Sequence, residues 1–397
     1  MRKILGKNGV SREIPWWSFV LGIDIFLLVI ALGKYYLPGS ILIQFLVNPF
    51  NLAVEMNLAV WWSGLCIAIA GLLSYELFSK GSDQSRYAWL ALSIILLSLS
   101  LDEVGSLHER ASGWNELVPY ALIYLFLSAF FFFTLIRISK LRFSVILITL
   151  GFVLYASVAL QEYIEHLVTW PEWMLGIRLV IEEGTELFAT FLILYAVVLQ
   201  REKNLKGISA IIPNLHYFNH TFWVLLVGIV IYIAVYFSFP SLQEITKKGN
   251  PLVWYPMLLF ILLFSLSHWN SQSSFKGKLI WKLFSILMLA CSAGLMWNIL
   301  KFFPFLNELI PGRAFYFLLY FVAVCFIFTL FLEKNEYVFY QIIFKLILPI
   351  SALALCLLYY TTTKNFTIVS WSIFSTLYAY CLFLVLNKLN YSYEKIK

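Results

Sequence analysis

The sequence predicts an all-α integral membrane protein, a polytopic bundle of about twelve spanning helices with both termini on the cytoplasmic side. Three observations predict it. Of the 397 residues, 61% are hydrophobic and only 12% charged, where a soluble domain is about a quarter charged. Apolar runs of about 20 residues, the length that crosses a bilayer as a helix, recur along the whole chain. Lys and Arg gather in alternate connections, as they do in cytoplasmic loops.

The spans fall at 16–36, 52–78, 87–110, 115–138, 143–169, 172–200, 219–240, 252–269, 279–302, 314–333, 337–360 and 365–388. The N-terminal tail is basic, with Arg2, Lys3, Lys7 and Arg12. Placed inside, it puts Lys80 and Arg86, then Arg137, Lys140 and Arg142, then Arg201, Lys203 and Lys206 inside as well. The tail enters an apolar run with no small-residue cleavage site, which reads as a retained first helix. The net charge of +7 serves orientation and anionic headgroups, so nucleic acid is not an expected partner. The five cysteines, Cys66, Cys291, Cys325, Cys356 and Cys381, lie in apolar segments without CxxC spacing. They read as small buried hydrophobes.

The chain divides by composition. Residues 1–200 form a six-helix half that carries nearly all the intramembrane acids. Residues 201–397 form an apolar, aromatic-rich half, read as a scaffold. No internal repeat is evident between them.

The acids concentrate in three segments. The third span ends SLSLDEVGSLHER, the fifth ends LQEYIEHLVTW, and the sixth begins EWMLGIRLVIEEGTELF after Pro171. At 100° per residue, Asp102, Ser106 and Glu109 share one face of the third helix, with Glu103 and His108 turned elsewhere. Glu162, Glu165, His166 and Thr169 share a face of the fifth. Arg178, Glu182 and Glu186 share a face of the sixth, with Glu183 beside Glu186. By helical rise, Asp102 lies about 13 Å, Glu162 about 12 Å and Glu182 about 16 Å below their outer helix ends. Three helices therefore bring acids to one level of a polar chamber.

Each charge inside a membrane helix costs at least about 2.5–3.5 kcal/mol, and close carboxylates hinder each other's ionisation. Protons or cations must neutralise them. Carboxylates with a neutral imidazole are usual ligands of a divalent metal. Asp102, Glu109, Glu162, Glu165, His166, Glu182 and Glu186 are the expected ligands. The expected ion is Fe, Mn, Mg or Zn, and the carboxylate-rich shell favours the first three. The His-bearing turn lacks the Glu-x-x-His of carboxylate-bridged di-metal bundles. A proton- or cation-conducting vestibule, or helix-end acids paired with Arg110 and Arg178, are the competing readings.

Other signals are weaker. His216, His220 and His268 lie on the cytoplasmic side without a carboxylate and read as interfacial. Asp24 sits mid-span with no evident partner. Glu55 is an additional outer ligand candidate. Trp61, Trp62, Trp114, Trp170 and Trp173 read as belt or packing residues. Walker A, GxGxxG, GxSxG and HExxH motifs are absent, which leaves nucleotide use and the usual serine or zincin hydrolases without support.

The LDEVGSLHER segment followed by IEEGTEL resembles uncharacterised bacterial multi-pass membrane proteins with an LDE…HE segment and a later EE…E segment. The resemblance spans the third to sixth helices. It implies a polytopic fold and matching positions at Asp102, Glu103, His108, Glu109, Glu182, Glu183 and Glu186, and no particular activity. Membrane-embedded zinc hydrolases of the alkaline ceramidase and progestin-receptor type do not match, since the HxxxH here lies on the opposite side.

Two principal functions follow as expectations. The first is a metal-dependent enzyme of a bacterial inner (plasma) membrane, acting on a lipid-soluble substrate, with Glu103 or Glu183 as proton shuttle. The second is a cation- or proton-coupled transporter with Asp24 on its pathway. A structural or assembly subunit is the third class.

Overall fold

The fold was analysed in a computed structural model that describes residues 3–5, 11–13, 15–40, 47, 50, 52, 58–81, 86–105, 132, 143–167, 170–204, 254, 256–261, 263, 264 and 278–296. Two short antiparallel strands, β1 (Lys3–Leu5) and β2 (Ser11–Glu13), pair Ile4 with Arg12. The sequence reading foresaw no strand here. The five-residue connection GKNGV has the Gly and Asn content that hairpin loops use. The remaining regular elements among the described residues are helices: α1 (Trp16–Tyr36), α2 (Leu58–Lys80), α3 (Arg86–Gly105), α4 (Phe143–Leu167), α5 (Glu172–Asn204) and α6 (Lys278–Met296).

Three of them, α1, α2 and α3, are long and apolar enough to cross a bilayer, and the chain is a membrane protein. Helices α4 and α5, of 25 and 33 residues, overlap two further expected spans, with Glu182, Glu183 and Glu186 interrupting the apolar run of α5. The spans expected at 219–240, 314–333, 337–360 and 365–388 lie outside the described residues, as does nearly all of 115–138. The chain forms two compact units: one of Met1–Glu103 with Ala111–Pro213, the other of Val104–Arg110 with Asn214–Lys397.

The first unit is organised around α5, which packs on α1, α2 and α4. Helix α1 runs antiparallel to it. The Tyr36 hydroxyl donates to the Trp173 carbonyl at 2.8 Å, and Trp16 meets Tyr195 with ring centroids 5.8 Å apart. Gly176 lets the Tyr35 ring approach, since a Cβ there would lie 2.9 Å from it. Helix α4 is also antiparallel to α5. Gly151 permits its close approach, as a Cβ there would lie 2.5 Å from Ile193. Small residues at such crossings are how membrane helices gain packing contacts in the absence of a hydrophobic drive. Helix α3 runs antiparallel to α2, with Gly71 against Leu97 and Ser100 donating to the Gly64 carbonyl at 2.8 Å. One apolar core joins Leu73, Leu92, Ile148 and Val197 across α2 to α5; a second joins Leu27, Ala59 and Leu187. Phe19, Ile25, Phe26 and Val29 remain exposed on α1, as suits a lipid-facing helix.

In the second unit, Trp281, Phe284 and Met288 are buried along α6, and residues 256–261 are helical and buried. The Ser292 hydroxyl lies 3.5 Å from the Met257 carbonyl. Cys66 and Cys291, one in each unit, are buried free thiols, as the sequence implied.

A polar clamp closes one end of the first unit. Arg201, with 0% exposure, donates through Nε to Glu76 Oε2 at 2.8 Å and through Nη2 to Oε1 at 3.4 Å. Lys80 Nζ lies 2.7 Å from the same Oε1. Beside it, Ser144 donates to Gln200 Oε1 at 2.8 Å. Arg201 was read from sequence as a loop charge that sets orientation. It instead lies inside α5, because the helix continues past the apolar run to Asn204. Replacing Glu76 with Gln should cost about 3–5 kcal/mol, the penalty for stranding a buried partner charge. The Glu76→Leu/Arg201→Leu double variant should recover most of it. Thermal melting of detergent-purified protein followed by size-exclusion checks both; a double variant as unstable as the single one would show that packing, not charge pairing, sets this end.

Candidate functional site

About midway along α1, side chains from five helices form a polar layer. Asp24 is eight residues, about 12 Å, from the start of α1 and is buried. Trp62 of α2 donates its indole N–H to Asp24 Oδ1 at 2.8 Å. The next residue, Ser63, donates to Glu103 Oε1 of α3 at 2.5 Å. The hydroxyls of Tyr155 on α4 and Thr190 on α5 are hydrogen-bonded to each other. Glu186 stands one turn before Thr190 on α5.

The helical registers explain this convergence. Helix α1 antiparallel to α5 brings Asp24 near the level of Leu187, and α4 antiparallel to α5 brings Tyr155 to Thr190. The α2–α3 register that seats Ser100 on Gly64 places Glu103, one turn on, at Ser63. Each polar group buried this way has a partner, which is the condition for polar atoms inside an apolar bundle.

One turn of α5 nearer Pro171, Arg178 Nη2 lies 3.9 Å from Glu182 Oε2. Glu182 and Arg178 therefore share a face as the spacing predicts, and the pair offsets part of the acid excess. Helix α4 ends at Leu167 and carries Glu162, Glu165 and His166 in its last turns. Their side chains lie outside the described residues, as do His108 and Glu109. Asp102, Glu103, Glu182, Glu183 and Glu186 are all partly buried. Among the described residues, no group of three or more His, Cys, Asp or Glu comes together as a metal-holding set.

Two expectations are revised. Asp24 has a partner, the indole N–H of Trp62, while Trp62 itself packs against the core as one of its two expected roles. Glu103 does not turn away from the interior, because the α2–α3 register directs it at Ser63. Tyr155, Thr190 and Ser63 join the layer without having been singled out. Tyr155 was legible, since it lies seven residues before Glu162 on the same helical face. Glu76 and Lys80 were too, as an i, i+4 ion pair.

Residues 20–200 match the family model described as a domain of unknown function (DUF8692). The matched stretch covers α1 to most of α5 and includes every member of the layer. No curated protein and no solved structure matches the chain.

Trp62→Phe removes the donor to Asp24 while keeping an aromatic ring. It should lower stability by about 1–3 kcal/mol, the cost of leaving a buried acceptor unsatisfied. Asp24→Asn, which keeps the acceptor oxygen, should stay near wild type. Melting curves of the two variants side by side test this; equal losses would mean that the charge of Asp24, and not the hydrogen bond, matters.

Proposed function

We propose that the protein is a metal-dependent enzyme of a bacterial inner membrane, with its termini in the cytoplasm, acting on a lipid-soluble substrate. The observation that carries this reading is that Asp24 and Glu103, from two different helices, are held at one level inside the bundle by hydrogen bonds from the neighbouring Trp62 and Ser63. Carboxylates at that depth need a compensating cation or proton. Carboxylate oxygens from separate helices suit a hard divalent ion such as Fe, Mn or Mg.

In this reading Glu103 and Glu186 hold the ion together with groups outside the described residues, Glu109, Glu162, Glu165 and His166. When bound, the ion would activate water or oxygen. The chain's own groups do the rest. Ser63 fixes the Glu103 carboxylate by its hydrogen bond. Thr190 orients the Tyr155 hydroxyl by their hydrogen bond. Arg178 offsets the charge of Glu182. Glu183, beside the ligand face, serves as proton shuttle. The apolar surroundings keep bulk water away from the layer.

A second reading, a cation- or proton-coupled transporter, is favoured by one observation: Asp24 is buried and held by Trp62 at the level of the acids. Intramembrane acids of this kind mark ion pathways.

Metal content of the detergent-purified full chain, by mass spectrometry, separates the two. Wild type should retain close to a stoichiometric divalent metal. Glu103→Gln/Glu186→Gln and, independently, Glu162→Ala/His166→Ala should lose most of it. If wild type and variants are equally metal-free, the enzyme reading falls and ion-dependent transport becomes the reading to test.

A further inference from the structure

Asp24 is 6% exposed, about midway along α1. Two other carboxylates of the first unit show what it lacks. Glu76 is met by Arg201 at 2.8 Å and by Lys80 at 2.7 Å, and Glu182 lies 3.9 Å from Arg178. Asp24 forms no ion pair among the described residues. Its one hydrogen bond there comes from a neutral donor, the Trp62 indole N–H, to Oδ1.

The surroundings do not supply a counter-charge. The cluster beside Asp24 on α1, α2 and α5, made of Leu27, Ala59, Leu187 and the Trp62 ring, is apolar. One turn past Trp62 on α2 is the buried free thiol of Cys66. Leu28 packs at Gly184, which sets Asp24, one turn earlier, near the level of Leu187 on antiparallel α5. The charged residues of α5 closest to that level, Glu183 and Glu186, are acids, and so is Glu103 beyond Ser63. The cations of the packed helices are remote along their axes. Lys34 is ten residues from Asp24, about 15 Å. Arg178 is nine residues from Leu187, about 13 Å, and Lys80 is farther still from Trp62. An intramembrane charge in such a place must be neutralised from outside the chain.

The contacts of Asp24 choose between a metal ion and a proton. A hard metal ion needs several oxygen ligands converging on it. Here the polar group that reaches the carboxyl is an N–H, whose positive end occupies Oδ1, and no second oxygen among the described residues joins it. A proton needs no ligand shell. It also completes the geometry: Oδ1, accepting from Trp62, is the carbonyl oxygen of a carboxylic acid, and Oδ2 carries the hydrogen. The small residual exposure gives the proton a way in and out.

We infer that Asp24 is a proton-binding site, a carboxylic acid at neutral pH whose Oδ2 hydrogen exchanges with water. The inference rests on the contacts of Asp24 and stands apart from both proposed functions. Within the transporter reading it names the coupled ion as a proton. Within the enzyme reading it leaves Asp24 out of the metal shell.

Infrared spectroscopy of the full chain in lipid is the test. The chain has three aspartates, Asp24, Asp83 and Asp102, so a heavy-carbon label in the aspartate side-chain carboxyl marks few groups. At neutral pH the wild type should show a labelled acid C=O stretch that is lost in Asp24→Asn. Heavy water should shift this band down, as O–H becomes O–D, and raising the pH should replace it with a carboxylate band. Trp62→Phe should shift it up, because the carbonyl loses its hydrogen bond. A chelator should leave the band in place, and metal content measured on the same samples keeps the outcome separate from that of the proposed enzyme. A carboxylate band for Asp24 at neutral pH, or an acid band unmoved by heavy water or by Trp62→Phe, would overturn the inference. Should Asp24→Asn fail to fold, the labelled wild-type band and its shift in Trp62→Phe decide.

Discussion

Arg201 has no solvent exposure, and the rest of the first unit is arranged around the need to answer that charge. A buried guanidinium without a carboxylate costs several kcal/mol. Glu76 supplies the carboxylate with two-point geometry, and Lys80 shares it. The clamp fixes the end of α2 against the end of α5, and α5 is the helix on which α1, α2 and α4 all pack. Once these ends are joined, the helix registers leave little freedom in what meets what farther along.

The polar layer is the product of those registers. Asp24, Trp62, Ser63, Glu103, Tyr155, Thr190 and Glu186 come from five helices, and the bonds Trp62–Asp24, Ser63–Glu103 and Tyr155–Thr190 each join two of them. Interhelical hydrogen bonds in membranes are individually modest, near 0.6 kcal/mol on average. Their larger effect here is to select one arrangement of helices and to hold acids at a depth where apolar packing alone would exclude them. The clamp differs in kind: its buried Arg201 charge is answered by the Glu76 carboxylate within the protein. The layer's own members include three acids, Asp24, Glu103 and Glu186, and no Lys or Arg.

The membrane class was legible because composition and hydropathy act over whole spans: α1 has the expected limits, and α2 and α3 occupy most of theirs. The three acidic segments read from the sequence fall in or at the ends of α3, α4 and α5. Facial reasoning worked within one helix, as for Arg178 and Glu182. It failed between helices. Whether Glu103 or Asp102 faces α2 depends on the α2–α3 register, which is set by Gly64, Gly71, Ser100 and Leu97 and not by the acidic segment itself. The Asp24–Trp62 bond joins positions 38 residues apart, and no periodicity within one helix reports such a pair. Arg201 was misjudged for a similar reason: a cation at the end of an apolar run looks like a loop charge until its carboxylate, 125 positions earlier, is found.

Helix α5 also acts as a ruler. Glu186, Thr190, Gln200 and Arg201 are read off one continuous helix against three neighbours, so their spacing behaves like a reading frame. Inserting a single residue between Glu186 and Arg201 would turn one set by about 100° relative to the other and advance it by about 1.5 Å. Adding seven would nearly restore the angle but separate the clamp from the layer by about 10 Å more. Loops elsewhere can lengthen with little effect on this site, whereas the stretch from Glu186 to Arg201 admits substitution but not a change of length.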